Sequence, residues 1–266
     1  MRTSKLQATA QNSHNMIFRR WIKLSALILA AGLGITGMSS GALAACSVST
    51  VISTQQTQEF IVDNNTVCDV TITNTGSFTG MNSAITFHEN TTSTSFNNAG
   101  IIGGLIGVVV LNSRLPVINN SGTISSNTYG ILNSYSLITT INNTGTISSL
   151  SGIANNGTIA TLNNSQGGGS NASLTYSGAL PTAYNALVRS LSNFGQLAVG
   201  NGTGTMTFGV DNTSALTANL YTNVLTGVLA AHITNEETEV PLGGFAWKLT
   251  ASSASSTPNS WDLLVI

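Results

Sequence analysis

Charge is scarce in this sequence, and its scarcity excludes more than any motif establishes. Only 6% of the 266 residues are Asp, Glu, Lys or Arg, whereas a globular domain carries about 25%. The surface must be built from something else, and Asn, Ser and Thr supply it. Disorder driven by charge is excluded, because 41% of the residues are hydrophobic and they recur at regular intervals. A polyanion binder needs clustered Lys and Arg to displace counterions. Five of the eight basic residues (Arg2, Lys5, Arg19, Arg20 and Lys23) fall in the first 23 positions. Only Arg114, Arg189 and Lys248 follow, against nine acidic residues, so the chain beyond its N-terminal segment has a net charge of −6. Nucleic acid is excluded as a partner.

Catalytic groups are equally thin. Polysaccharide lyases and hydrolases need paired carboxylates, with or without calcium, and a cation to stabilise charge. Between Thr91 and Val188 the only Asp, Glu, Lys, Arg or His is Arg114. Glu59, Asp63 and Asp69 could meet near one end, but no basic residue accompanies them. His14, His88 and His232 have no neighbours at metal-ligand spacing, and no Ser or Thr has a His–carboxylate pair nearby. The chain is expected not to be an enzyme and to hold no cofactor or metal. Arg114, beside Pro116, reads as a solubilising charge at an exposed corner. Triplets such as Asn142-Asn143-Thr144 match a glycosylation acceptor by chance, given the composition.

What is present begins with an export signal. Arg19, Arg20 and Lys23 precede an apolar run from Leu24 to about Ile35, followed by Gly41-Ala42-Leu43-Ala44-Ala45. The apolar run is shorter than the roughly 20 residues of a permanent span. Residues 1–44 are read as a signal peptide with an extended basic region; a start at Met16 rather than Met1 would give one of ordinary length. Two cleavage readings compete. Ala42-Leu43-Ala44 suits a cut before Ala45, while Leu43-Ala44-Ala45-Cys46 resembles a lipobox that would anchor Cys46 in lipid.

The fold is carried by a repeat. Ile118-Asn119-Asn120-Ser121-Gly122-Thr123-Ile124-Ser125-Ser126 returns as Ile141-Asn142-Asn143-Thr144-Gly145-Thr146-Ile147-Ser148-Ser149, with a single difference. Upstream versions are Ile72-Thr73-Asn74-Thr75-Gly76 and Phe96-Asn97-Asn98-Ala99-Gly100, and Leu162-Asn163-Asn164-Ser165 follows downstream. The leading apolar residues Ile72, Phe96, Ile118, Ile141 and Leu162 lie 21 to 24 positions apart. A shorter phrase, Gly130-Ile131-Leu132-Asn133, recurs as Gly152-Ile153-Ala154-Asn155. Short alternating runs such as Thr123-Ile124-Ser125 make strands with one inward face. Asn98, Asn120 and Asn143, with Gly76, Gly100, Gly122 and Gly145, are assigned to corners, where Asn and Gly tolerate positive φ. Stacking at about 4.8 Å per coil would give an interior Ile column and Asn ladders.

The expected fold is therefore all-β: a right-handed parallel β-helix over residues 45–170, of five to six coils, with 171–266 forming a β cap. An open solenoid end exposes unpaired backbone and cut core, so a cap is required. Within it, Phe245-Ala246-Trp247-Lys248-Leu249 and the strand at Trp261 are expected to pair with the two tryptophans facing. Cys46 and Cys68 are 22 residues apart, one period, and both open a matching phrase; stacking them predicts a disulfide in an oxidising compartment.

With Asn120-Ser121-Gly122-Thr123-Ile124, Asn143-Thr144-Gly145-Thr146-Ile147, Asn156-Gly157-Thr158-Ile159, the export signal and Trp261-Asp262-Leu263, the chain resembles the passenger of a Gram-negative autotransporter over residues 46–266. The resemblance implies an adhesin or surface antigen, an unidentified surface ligand (protein or glycan), and an outer-membrane β-barrel translocator that this chain is not expected to encode.

Overall fold

Strands this short cannot bury an apolar face alone, and they do so by stacking coil upon coil. The structure is a computed structural model, and it describes residues 49–266 apart from 63–66, 80–81, 90, 92 and 254–258. The export segment 1–44, both candidate starts, Cys46 and Asp63 lie outside the described residues. The described residues belong to one unit, Ala42–Ile266.

Each of the first five coils has three faces. The first two coils contain β1 (Ser49–Ile52), β2 (Gln55–Gln56), β3 (Phe60–Val62), β4 (Asp69–Ile72), β5 (Ser77–Phe78) and β6 (Ser83–Phe87). The next two hold β7 (Ser95–Asn98), β8 (Ile101–Leu111), β9 (Arg114–Asn120) and β10 (Thr123–Ser134); β8 and β10 run across two faces, with a break in their pairing between Ser126 and Tyr129. Then come β11 (Leu137–Asn143), β12 (Thr146–Ser148), β13 (Ser151–Asn155), β14 (Thr158–Asn164) and β15 (Leu174–Ala179). The last coils contain β16 (Ala183–Ala186), β17 (Val188–Ser190), β18 (Asn193–Phe194), β19 (Leu197–Thr203), β20 (Thr207–Val210) and β21 (Asn219–Thr226). After a 3-10 turn at Ala230–His232 the chain closes with β22 (Val240–Leu242), β23 (Phe245–Ala251) and β24 (Trp261–Val265).

The first face is a parallel sheet in the order β1-β4-β7-β9-β11-β14-β16-β20. Its inward file is Val70, Phe96, Ile118, Ile141, Leu162, Tyr184 and Phe208, all buried. Phe78, Ile102, Ile124 and Ile147 form the file of the second face. Phe60, Ile85, Val108, Ile131, Ile153, Tyr176 and Val199 form that of the third. Burying one such side chain stabilises by about 1.5–3 kcal/mol, so the three files dominate the fold.

Several sequence expectations are corrected by this register. Ile72 does not share a file with Phe96: Val70 does, and Ile72 lies over Asn98. The cause is the corner, which takes four steps from Ile72 to Gly76 but only two from Asn98 to Gly100. Phe96, Ile118, Ile141 and Leu162 do stack. The glycines Gly76, Gly100, Gly122 and Gly145 also form one file, but none has positive φ. Glycine is required there by closeness: a Cβ on Gly100, Gly122 or Gly145 would sit 2.1, 2.2 or 2.1 Å from the carbonyl oxygen of the preceding glycine in the file.

Parallel stacking also continues past Gly167-Gly168-Gly169. β15 and β16 pair with β13 and β14, and β19 and β20 pair with them in turn, giving about seven turns rather than five or six. The cap is correspondingly shorter. β21 joins β19 in parallel, and β24, β23 and β22 follow antiparallel. β23 and β24 pair as expected, but Trp247 lies opposite Val265 and Trp261 opposite Ala251. Trp247 packs edge-on against Phe208 at 5.8 Å, closing the core of the last coil, and Trp261 Nε1 donates to the Val228 carbonyl (2.8 Å).

Register also bears on the cysteines. Ser49 pairs with Asp69 and Thr50 with Val70, an offset of 20, so the two phrases that suggested stacking at 22 are not aligned. Cys68 is buried, with its Sγ 3.8 Å from Thr50 Oγ1, and no described cysteine is free.

Candidate functional site

The repeated Asn-Asn doublet ends four first-face strands, β7, β9, β11 and β14. Because successive strand residues face opposite sides, each doublet contributes one amide inward and one outward. The inward members Asn98, Asn120, Asn143 and Asn164 are buried, and the first three each donate from Nδ2 to Oδ1 of the next at 2.8, 2.8 and 2.9 Å. The outward ladder runs with opposite polarity. Asn119 donates to Asn97 (2.7 Å), Asn142 to Asn119 (2.8 Å), Asn163 to Asn142 (2.7 Å) and Asn185 to Asn163 (2.8 Å). At another corner Asn133 donates to Asn155 (2.7 Å), which donates to the Tyr176 hydroxyl (3.0 Å). Asn98, Asn120 and Asn143 are thus not corner residues with unusual φ but the last inward residues of their strands.

Asn119, Asn142 and Asn163 each use one N–H and one lone pair along the ladder, leaving a second of each for solvent or a ligand. The first face therefore presents neutral donors and acceptors one coil apart, with Thr140 and Thr161 stacked two residues before Asn142 and Asn163. The doublet was visible in the sequence; its division into two ladders needed the register.

Side-chain amides also close two strand edges. β12 pairs with β10 on one side, and on the other Gln166 Oε1 accepts the Ile147 N–H (2.8 Å) while Nε2 donates to the Ile147 carbonyl (3.1 Å). Asn235 does the same for Phe208 of β20, at 3.0 and 2.8 Å. Each amide imitates one residue of a neighbouring strand. Neither had a signal in the sequence, since each is a lone residue outside the repeat.

Among the described residues the carboxylates do not assemble. Glu59 accepts from the hydroxyls of Ser83 and Thr86. Asp69 accepts from Thr94 N–H, Thr94 Oγ1 and Ser95 N–H at 2.9, 2.7 and 2.9 Å. Slight burial pushes the Asp69 carboxyl up, but the Thr94 hydroxyl and the Ser95 and Thr94 amides outweigh it and hold the group below its ordinary range. Glu237 is held low chiefly by the Lys248 ammonium, 2.7 Å away. Burial pushes the Tyr176 and Tyr184 hydroxyls well above the usual tyrosine range. His88 and His232 have no ligand set around them, and no group of three or more metal-binding side chains occurs among the described residues. Arg114 is exposed at the start of β9.

One concavity departs from the regular surface. The corner between first and second faces is two residues long at Ser121-Gly122 and Thr144-Gly145; in the next two coils no described strand extends the second face beyond β12, and segments 165–173 and 187–196 lead instead to the third-face strands β15 and β19. The second of these loops contains the β17–β18 hairpin. Between the tight corner and the loops lies a cleft of about 330 Å³, lined by Thr144, Thr146, Ser148, Asn171, Arg189 and Asn193 among others, with Gln166 at its base. No family model matches the chain, and neither a curated protein nor a solved structure matches it.

Proposed function

We propose that this protein is an exported, non-catalytic structural and binding protein of the bacterial cell surface, an adhesin or antigen of the autotransporter-passenger kind. The observation that carries the reading is the outward amide ladder, Asn97 to Asn185, fixed on a face of stacked coils. Such an array is rigid, nearly uncharged and repetitive, which suits display and multipoint contact with a protein or glycan better than turnover of a substrate. The inward ladder supports it from behind: its amides are hydrogen-bonded to one another, so the face cannot shift register without breaking buried bonds. In this reading the basic and apolar N-terminal segment directs export, and an outer-membrane β-barrel carries the chain to the surface.

A periplasmic or lipid-anchored protein of the same fold is the second reading, favoured by Leu43-Ala44-Ala45-Cys46. Protease treatment of intact Gram-negative cells expressing the protein separates them. Cleavage without permeabilisation supports surface display, whereas protection until the outer membrane is opened refutes it. The intact mass of the mature chain then reports acylation at Cys46. A polysaccharide-active enzyme is the remaining alternative, and turnover of uronic-acid polymers abolished by Glu59→Gln or Asp69→Asn would establish it in place of the binding reading.

A further inference from the structure

We propose that the cleft beside Arg189 is a binding site for a carboxylated sugar. Stacking alone does not require the cleft. The first-face file continues undisturbed through Leu162, Tyr184 and Phe208, and the third-face file through Tyr176 and Val199. Yet the second-face file stops at Ile147, and segments 165–173 and 187–196 take its place on the way to the third-face strands β15 and β19. Gly167, Gly168 and Gly169 all adopt positive φ there, and a Cβ on Gly168 would lie 2.8 Å from the Phe194 backbone nitrogen. That loop is thus packed tightly against the hairpin strand β18. It is a fixed wall, not slack chain.

The chemistry of the lining is selective. Arg189 is exposed, and it has no ion pair or hydrogen bond among the described residues; Lys248, by contrast, is paired with Glu237. No carboxylate lines the cleft with it. Its other polar side chains include hydroxyls and amides of Thr144, Thr146, Ser148, Asn171 and Asn193. A guanidinium presents a planar fork matched to a carboxylate, and the neutral donors and acceptors match ring hydroxyls. A phosphate dianion is disfavoured, because one cation stands alone in a chain of net charge −6 beyond the export segment. The volume of about 330 Å³ is at the small end of ligand pockets, about 300–1,000 Å³, and suits one or two sugar rings.

The inference rests on the binding reading above, but its test uses purified mature protein and is independent of where the protein resides. Saturation-transfer NMR is recorded with D-galacturonate, D-galactose and acetate, on the wild type, Arg189→Gln and Thr146→Val. Galacturonate should bind most tightly, with galactose and acetate each weaker by about tenfold, the worth of one charge-assisted contact or of the hydroxyl set. Arg189→Gln should weaken galacturonate by about tenfold, leaving galactose unchanged. Thr146→Val should weaken both sugars while sparing acetate. Both positions are exposed, and unchanged circular dichroism would confirm the fold. The proposal is overturned by no transfer to galacturonate, by equal binding to Arg189→Gln, or by acetate binding as well as the sugar acid. A cleft that binds nothing would still leave protease accessibility on cells to decide surface display.

Discussion

Asn142 and Asn143 are adjacent, chemically identical and placed on opposite sides of β11, so they measure what burial adds to an amide ladder. Asn143 is fully buried and makes three side-chain bonds: to Asn164 Oδ1 (2.9 Å), to Gln166 Oε1 (3.1 Å) and from Asn120 Nδ2 (2.8 Å). Asn143→Ala removes all three, at about 1 kcal/mol each. The partners are not left wholly bare. Asn120 Nδ2 keeps the Thr146 carbonyl (3.3 Å), Asn164 Oδ1 keeps the Gln166 N–H (3.1 Å), and Gln166 Oε1 keeps the Ile147 N–H (2.8 Å). The space vacated by the amide adds a cavity cost of about 1 kcal/mol, for a total loss of about 4 kcal/mol. Asn142 makes two ladder bonds, to Asn119 (2.8 Å) and from Asn163 (2.7 Å), but it is half-exposed. Water replaces both bonds in Asn142→Ala, so the loss should stay below about 1 kcal/mol. Guanidinium unfolding followed by far-ultraviolet circular dichroism reads the two midpoints. A shift for Asn143→Ala no larger than that for Asn142→Ala would refute the claim that the inward ladder stabilises the coils.

Three further outcomes are expected. Gly122→Ala should abolish folding or cost more than about 3 kcal/mol, because its Cβ would meet the Gly100 carbonyl oxygen at 2.2 Å; Gly204→Ala, with φ of 85° and nothing within 4 Å, should cost only about 1 kcal/mol for the left-handed backbone, and the two midpoints compared by denaturation check it. Asp69 has a folded pKa below its ordinary value of 3.8, so the stability it contributes is complete above that value and is lost as pH falls through the lower folded pKa. The midpoint gap between wild type and Asp69→Asn should therefore be full at neutral pH and close under stronger acid; a gap that widens on acidification would show that the Thr94 and Ser95 bonds do not favour the charged carboxylate. Finally, a non-reducing peptide map of the exported protein should recover Cys46 joined to Cys68, and two free thiols would dismiss that pairing.

How much was legible beforehand follows from what each feature depends on. Periodicity alone revealed the solenoid, because Phe96, Ile118, Ile141 and Leu162 must recur wherever a coil returns to its inward file. Ile72 broke the same inference: its phrase looks like the others, yet two extra residues at its corner move Val70 into the file instead. A repeat read as text aligns by similarity, whereas a sheet aligns by hydrogen bonds, and a longer corner lets the two disagree by two residues with every side chain still facing the correct way. The same disagreement undid the alignment of the Cys46 and Cys68 phrases. Glycine was located correctly and explained wrongly, since the need at Gly100 and Gly122 is contact between coils, a distance invisible in one coil's sequence. The decay of the phrase after Leu162 suggested an end to stacking, but Tyr184 and Phe208 continue the file with larger side chains and no Asn-Gly corner to mark them. That loss of regularity is where the cleft, Gln166 and Arg189 lie. In a solenoid the repeat specifies the scaffold, and a site able to distinguish one ligand from another has to be built where the repeat stops being obeyed.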